Sequence, residues 1–215
     1  LAITRSRSAL NGIAEFPDNQ KRMWSAYYAS VTFMDEQVGR ILDELDRLGL
    51  REKTAIVFTS DHGYHLGEHT FWQKSNLHEE VTRVPLIISL PGHEAGRSKS
   101  LVELVDLFPT LSAAAGLQAP GGLHGTSLLP ILRDPATRVK ESALSIHSSG
   151  TSMRTANWTY TRYKDGSEEL YDMETDPGQF TNRAGDAGAA VTLAGQRKAF
   201  ERRLKAAGIK VARLR

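Results

Sequence analysis

The chain has 215 residues, 40% of them hydrophobic, and a formal net charge of +2 with acidic and basic residues nearly balanced. That length accommodates one large domain, or one and a half ordinary ones, with enough apolar content for a core. No basic stripe with interleaved aromatics points to nucleic acid. No apolar stretch approaches the roughly 18 residues of a membrane span, and no charged start followed by an apolar run marks a signal peptide. Cysteine is absent, which excludes disulfides, thiolate metal sites and a cysteine nucleophile.

Residues 1–17 are polar and without period, and read as an irregular lead-in. Asp18 is a candidate N-cap for a long helix to Leu48, with Gly49 as its C′ residue. Apolar residues at Met23, Tyr27, Val31, Met34, Val38, Ile41, Leu42, Leu45 and Leu48 step by three and four. Such a stripe is expected to face a core, with Asp35, Glu36 and Arg40 on the solvated side.

After the turn 49–53, Ala55-Ile56-Val57-Phe58 is a short run of β-formers, the pattern of a strand buried on both faces in a parallel sheet. It ends at Ser60-Asp61-His62-Gly63. A carboxylate and an imidazole at the carboxyl end of such a strand are placed to reach a ligand, and both are ordinary metal ligands. The same tripeptide also fits a plain turn, with Asp61 capping an amide and Gly63 supplying a positive φ.

Residues 63–83 are too polar for a core element and read as a loop. Tyr64, Phe71 and Trp72 in it either wall a pocket or pack the loop onto the body. His62, His65 and His69, spaced His-x-x-His-x-x-x-His, offer three nitrogens for zinc as a lesser reading. Lys74 read alone is a solvated charge, and His78 and Arg83 either approach a ligand or cap the next strand.

Residues 84–90 form a second buried strand, with Pro85 at its start. A helix surrounds Asp106-Leu107-Phe108-Pro109-Thr110-Leu111, where Asp106 is a cap sooner than a catalyst. The Gly- and Pro-rich stretch 116–135 reads as a loop with one helical turn and as a boundary, dividing the chain into 1–135 and 136–215. Beyond it the period becomes two. Strands are expected over 142–147, over 153–164 folded back at Ala156-Asn157, and over 169–172, followed by a basic amphipathic helix over 189–207 with Leu193, Phe200 and Leu204 on one face.

The run Phe58-Thr59-Ser60-Asp61-His62-Gly63, then Leu66-Gly67-Glu68-His69, Trp72-Gln73-Lys74 and Val84-Pro85-Leu86-Ile87 resembles the sulfatase family of the alkaline phosphatase superfamily, in particular its iduronate sulfatase and choline sulfatase branch. Glu169-Leu170-Tyr171-Asp172 resembles the last strand of such enzymes.

The resemblance implies an α/β fold: the carboxyl-terminal part of an alkaline-phosphatase-like mixed sheet flanked by helices, plus a small antiparallel sheet with a terminal helix. It implies that Asp61 and His62 ligate Ca2+ and that Lys74 contacts the sulfate of a sulfated small molecule or glycan. The family's nucleophile is a formylglycine made within Cys/Ser-x-Pro-x-Arg. That motif and the paired Asp ligands of the first strand are not found here, so the resemblance makes this chain a carboxyl-terminal fragment, inactive alone. A periplasmic or exported location follows by family analogy only. Phosphatases and phosphonate hydrolases of the superfamily share the metal strand, and a non-catalytic relative is the third reading.

Overall fold

A computed structural model describes residues 17–209. The chain forms two compact units, one of Leu1–Lys74 with Arg83–Gly92, the other of Ser75–Thr82 with His93–Arg215.

In the first unit, helix α1 spans Pro17–Arg47. It opens on the proline, whose missing N–H costs nothing in a first turn, so Asp18 lies inside that turn and is not the cap. Its end follows the expectation closely. Gly49 has φ 64°, Gly49 N–H donates to Asp46 O and Leu50 N–H to Leu45 O, which is a Schellman closure.

The expected core seam behaves differently. Val31, Met34, Ile41 and Leu48 are 42%, 40%, 68% and 51% exposed, and no described residue of α1 is buried. The pattern was that of an amphipathic helix, and periodicity reports which face is apolar without reporting whether anything covers it.

Strand β1 (Ile56–Thr59) pairs antiparallel with β4 (Leu86–Ser89), Ile56 opposite Ser89 and Thr59 opposite Leu86. The two form a two-stranded sheet among the described residues. Neither the parallel pairing nor the burial on both faces expected of these runs is therefore seen. β1 is half-buried throughout, and β4 alternates, with Ile87 62% exposed. A continuous apolar run marks a strand suited to burial, whereas pairing direction is set by tertiary partners. Between these strands the loop makes a miniature hairpin, β2 (His65–Leu66) against β3 (Trp72–Gln73).

In the second unit, β5 (Ser142–His147), β6 (Gly150–Thr155), β7 (Trp158–Tyr163) and β8 (Glu168–Asp172) form an antiparallel meander in that order. The turn at Ala156–Asn157 is where sequence placed it. Leu144, Met153, Tyr160 and Leu170 stand directly opposite one another and make one apolar row across all four strands.

Helix α5 (Ala190–Ala206) lays Leu193, Phe200 and Leu204 on that row, and the Phe200 and Tyr160 rings meet edge to face at 5.1 Å. On the opposite sheet face, Ser152 and Thr161 are buried and joined by a 2.9 Å hydroxyl bond. There α2 (Glu79–Thr82) is tied down by Gln179, whose side chain accepts Glu79 N–H, and by Arg154 on the Glu79 carboxylate.

The remaining helices are α3 (Leu107–Ala114) and α4 (Leu129–Arg133). Asp106, fully buried, closes a capping box: its Oδ2 accepts Glu103 N–H while the Glu103 carboxylate reaches back. Its Oδ1 accepts Thr126 N–H and the Lys140 ammonium, which also bonds Glu103. Glu103 further accepts Leu144 N–H and Arg203. Asp106 therefore does not cap α3 with its side chain, as sequence suggested, but completes the box of Glu103 from the N3 position, within a larger buried ionic network.

Candidate metal and anion site

The first unit assembles the predicted residues at the carboxyl end of β1. Asp61 follows the strand by two residues, its side chain 86% exposed and His62's 33%. Asp61 Oδ1 accepts His62 N–H at 3.0 Å, the local bond of a capped turn. Ser60 Oγ donates to His62 O at 2.8 Å and stiffens the same corner. The turn and the ligand readings of Asp61-His62-Gly63 are therefore compatible, because the turn presents both side chains outward.

The imidazole orientation is informative. His62 Nδ1 lies 2.9 Å from Gly63 O, a contact that requires Nδ1 to carry the proton. In the neutral ring Nε2 then carries the lone pair, the arrangement usual for a metal-ligating histidine whose other nitrogen is held by a carbonyl. Asp61 Oδ2 is 3.5 Å from that Nε2. Two donor atoms so spaced both reach an ion lying about 2.0–2.6 Å from each, so the donor set fits a divalent cation with an oxygen and a nitrogen ligand. Lys74 Nζ also contacts His62 Nε2, twelve residues along the chain. Structure thus brings Asp61, His62 and Lys74 together.

The hairpin after Gly63 explains how Lys74 returns. Glu68 Oε2 accepts Leu66 N–H at 2.6 Å, Gly67 N–H donates to Phe71 O, and the backbone turns through left-handed residues: His69 at φ 54°, Thr70 at φ 63° and Gln73 at φ 91°. Three non-glycine residues in that region are uncommon, and such geometry persists where surrounding contacts over-determine it. Gln73 immediately precedes Lys74 and sets its exit from β3.

Tyr64 stacks on Tyr27 of α1 with ring centroids 5.9 Å apart, and Trp24 Nε1 donates to Leu66 O at 2.7 Å, so α1 buttresses this loop. Tyr27 was expected only as part of a core-facing stripe, and Trp24 was not expected to take part at all. Trp24 and Tyr27, one turn apart near the start of α1, were the available signal. The zinc reading is not met: among the described residues His62, His65 and His69 do not converge, and His65 instead is buried against Phe71 and His69 as an edge-to-face ring.

The scaffold thus presents a carboxylate, an imidazole and an ammonium together at one strand's carboxyl end. Comparison with known proteins is specific. The sequence model described as "Sulfatase" matches residues 8–117, and that described as "N-sulphoglucosamine sulphohydrolase, C-terminal" matches residues 67–205. The chain belongs to the sulfatase family.

It is 34% identical to arylsulfatase K of Bos taurus over 181 residues (76% of this chain, 34% of that protein). It is 33% identical to choline-sulfatase of Rhizobium meliloti over 174 residues (78% and 34%). Human iduronate 2-sulfatase is 43% identical over 129 residues (48% and 24%). The chain therefore spans about a third of the length of the first two relatives.

Among solved structures, one determined in complex with its substrate D-glucosamine-2-N,6-O-disulfate superposes with a TM-score of 0.83 at 29% identity (87% of this chain, 41% of that one). The phosphonate monoester hydrolase of Agrobacterium radiobacter superposes with a TM-score of 0.79 at 25% identity (89% and 43%).

Proposed function

We propose that this chain supplies the carboxyl-terminal portion of a sulfuric ester hydrolase acting on sulfated carbohydrate or small sulfate esters. In this reading Asp61 and His62 hold a Ca2+ ion and Lys74 binds the sulfate. The observation that carries it is the convergence of these three side chains, with the His62 Nε2 lone pair left for a ligand by the Nδ1 contact to Gly63 O. The relatives named for sulfated substrates and the structure solved with a disulfated glucosamine support the substrate class.

The chemistry asked of these residues is electrostatic. A sulfuryl group carries its charge on non-bridging oxygens, and that charge must be clamped while the bond to the leaving alcohol breaks. A bound divalent cation supplies charge stabilisation at those oxygens. Asp61 sets the charge of the site, and His62 contributes a neutral nitrogen whose direction Gly63 O fixes. Lys74 donates N–H bonds to an incoming anion at a point of attachment held by the strained turn at Gln73. The formylglycine nucleophile and its activating groups are assigned to polypeptide outside this chain, so the 215 residues alone are inactive.

Calcium titration of the 215-residue protein by calorimetry tests the site. Asp61→Ala and His62→Ala should each weaken binding by tenfold or more, the usual loss on removing a ligand or its support (~10–100-fold). Unchanged affinity in both variants removes the assignment.

A second reading rests on the phosphonate monoester hydrolase likeness. Faster cleavage of an aryl phosphate or phosphonate than of an aryl sulfate by the intact enzyme would favour it.

A further inference from the structure

A groove of about 700 Å3 opens in the first unit between the start of α1 and the β2–β3 hairpin, and Asp61, His62 and Lys74 are not among the residues lining it. Trp24, Ser25 and Tyr28 of α1 face Leu66 and Glu68 of the hairpin across it. A cavity of that size, walled by aromatic rings with a few placed polar groups, suits a small organic ligand.

The aromatic wall is held in place and left uncovered. Trp24 Nε1 donates to Leu66 O at 2.7 Å, which fixes the indole and leaves its faces, not its N–H, for a ligand. Tyr28 meets it edge to face at 6.0 Å, and the two residues are 41% and 56% exposed. Tyr27, by contrast, is occupied with Tyr64. A fixed aromatic ring gives up little entropy on binding and presents a negative π face. The C–H face of a pyranose is its complement, apolar and lined with partly positive hydrogens.

Glu68 decides what else the ligand carries. Its Oε2 accepts Leu66 N–H at 2.6 Å, which holds the carboxylate at the groove with 38% of the side chain exposed. A carboxylate offers about four acceptor sites, so neighbouring hydroxyls can donate to it. A sulfate in the same place is repelled. Lys21, the cation of the lining, lies 3.7 Å from Asp18 in an exposed pair and leaves the carboxylate to set the sign of the groove. Leu66 stands opposite Trp72, two residues, or about 7 Å along a strand, before Lys74.

We infer that this groove is a saccharide subsite: it takes an unsulfated pyranose ring stacked on Trp24 and Tyr28, with its hydroxyls on Glu68. The stacking stands by itself, whereas its place in a substrate rests on the sulfate binding proposed above for Lys74. Where both hold, the substrate is a glycan of at least two sugars, with the sulfated ring at Lys74 and its neighbour in the groove, and neither choline sulfate nor an aryl sulfate fills the site.

The probe is chitobiose, a glucosamine disaccharide without sulfate, added to the 215-residue protein and followed by NMR at the Trp24 indole N–H, assigned by its loss in Trp24→Phe. That signal should shift saturably. Tyr28→Ala and Glu68→Gln should each weaken binding at least ~5-fold, by removing a stacking ring and a charged acceptor. Tyr28 is exposed and glutamine still accepts Leu66 N–H, so unchanged far-UV circular dichroism is expected of both variants. Chitobiose carrying one 6-O-sulfate should bind at least ~10-fold more tightly than chitobiose, and Lys74→Met should abolish that gain. No saturable shift with either sugar overturns the proposal, and so does binding indifferent to both groove substitutions. Chitobiose that binds while its sulfate adds nothing leaves the groove standing and removes the sulfate reading of Lys74.

Discussion

Lys74 Nζ sits against Nε2 of His62, the nitrogen whose lone pair the Gly63 carbonyl contact leaves open. An ammonium and a metal ion would compete for that electron pair. Under the proposed function the lysine would both guard the position and, once displaced, meet an anion bound beside the cation.

Replacing Lys74 by Met should therefore tighten Ca2+ binding to the 215-residue protein. The competing bond is charge-assisted, and on an exposed loop its loss is worth about 1 kcal/mol, or roughly fivefold in affinity. Calorimetric titration in parallel with the unaltered protein measures this. Weaker binding in Lys74→Met would show that the ammonium does not compete for the site. In an intact enzyme the same change should lower kcat/KM by ~10²-fold or more, because a cation aimed at developing charge is lost.

The buried cluster of Glu103, Asp106, Lys140 and Arg203 is a stability prediction. Lys140 neutralises two carboxylates that are 9% and 0% exposed, while itself only 10% exposed. Lys140→Met should destabilise the second unit by about 3–5 kcal/mol, because it leaves buried charge unpaired. Urea denaturation followed by tryptophan fluorescence or circular dichroism reads this directly. A loss below ~1 kcal/mol would mean that water replaces the ammonium.

Acid should loosen the contact of β8 with α5. The Arg197 guanidinium, with help from the Tyr160 hydroxyl, holds the Glu168 carboxyl below its ordinary value near 4.5, against the opposing effect of burial. Because the folded-state value is depressed, the stabilisation is complete above pH ~4.5 and is lost as pH falls through the lower folded value. Glu168→Gln should accordingly show a flatter acid limb than the unaltered protein, with little difference in pH slope between pH 6 and 8. Thermal unfolding at intervals from pH 3 to 8 provides the comparison.

Two glycines separate close packing from backbone conformation. A Cβ at Gly125 would lie 1.9 Å from Val105 O, so Gly125→Ala must displace backbone, at about 1–3 kcal/mol or more. At Gly49 nothing stands within 4 Å and the backbone has φ +64°. Gly49→Ala should cost about 1–2 kcal/mol, the penalty of the left-handed conformation alone. Equal and negligible effects in both variants would contradict the loop packing at Gly125.

Local signals determined much of this protein before any contact was known. The three- and four-residue steps of α1, the closure at Gly49, the alternation in 142–172 and the spacing of Leu193, Phe200 and Leu204 each act within a few residues, and each element formed where its pattern lay. The motif from Phe58 to Lys74 pointed to Asp61, His62 and Lys74 without any geometry. Tertiary structure alone decided the partners. Whether α1's stripe is covered, whether β1 pairs parallel or antiparallel, and how Asp106 joins Lys140 and Glu103 depend on residues far apart in sequence, which carry no local period. The candidate site divides along the same line. Residue types that can bind a cation or an anion are few and so stand out in the sequence, while the orientation of His62 and the return of Lys74 required a hairpin in which three left-handed residues, His69, Thr70 and Gln73, are not glycines. Side chains announce what they can bind; the path of the backbone determines what they face.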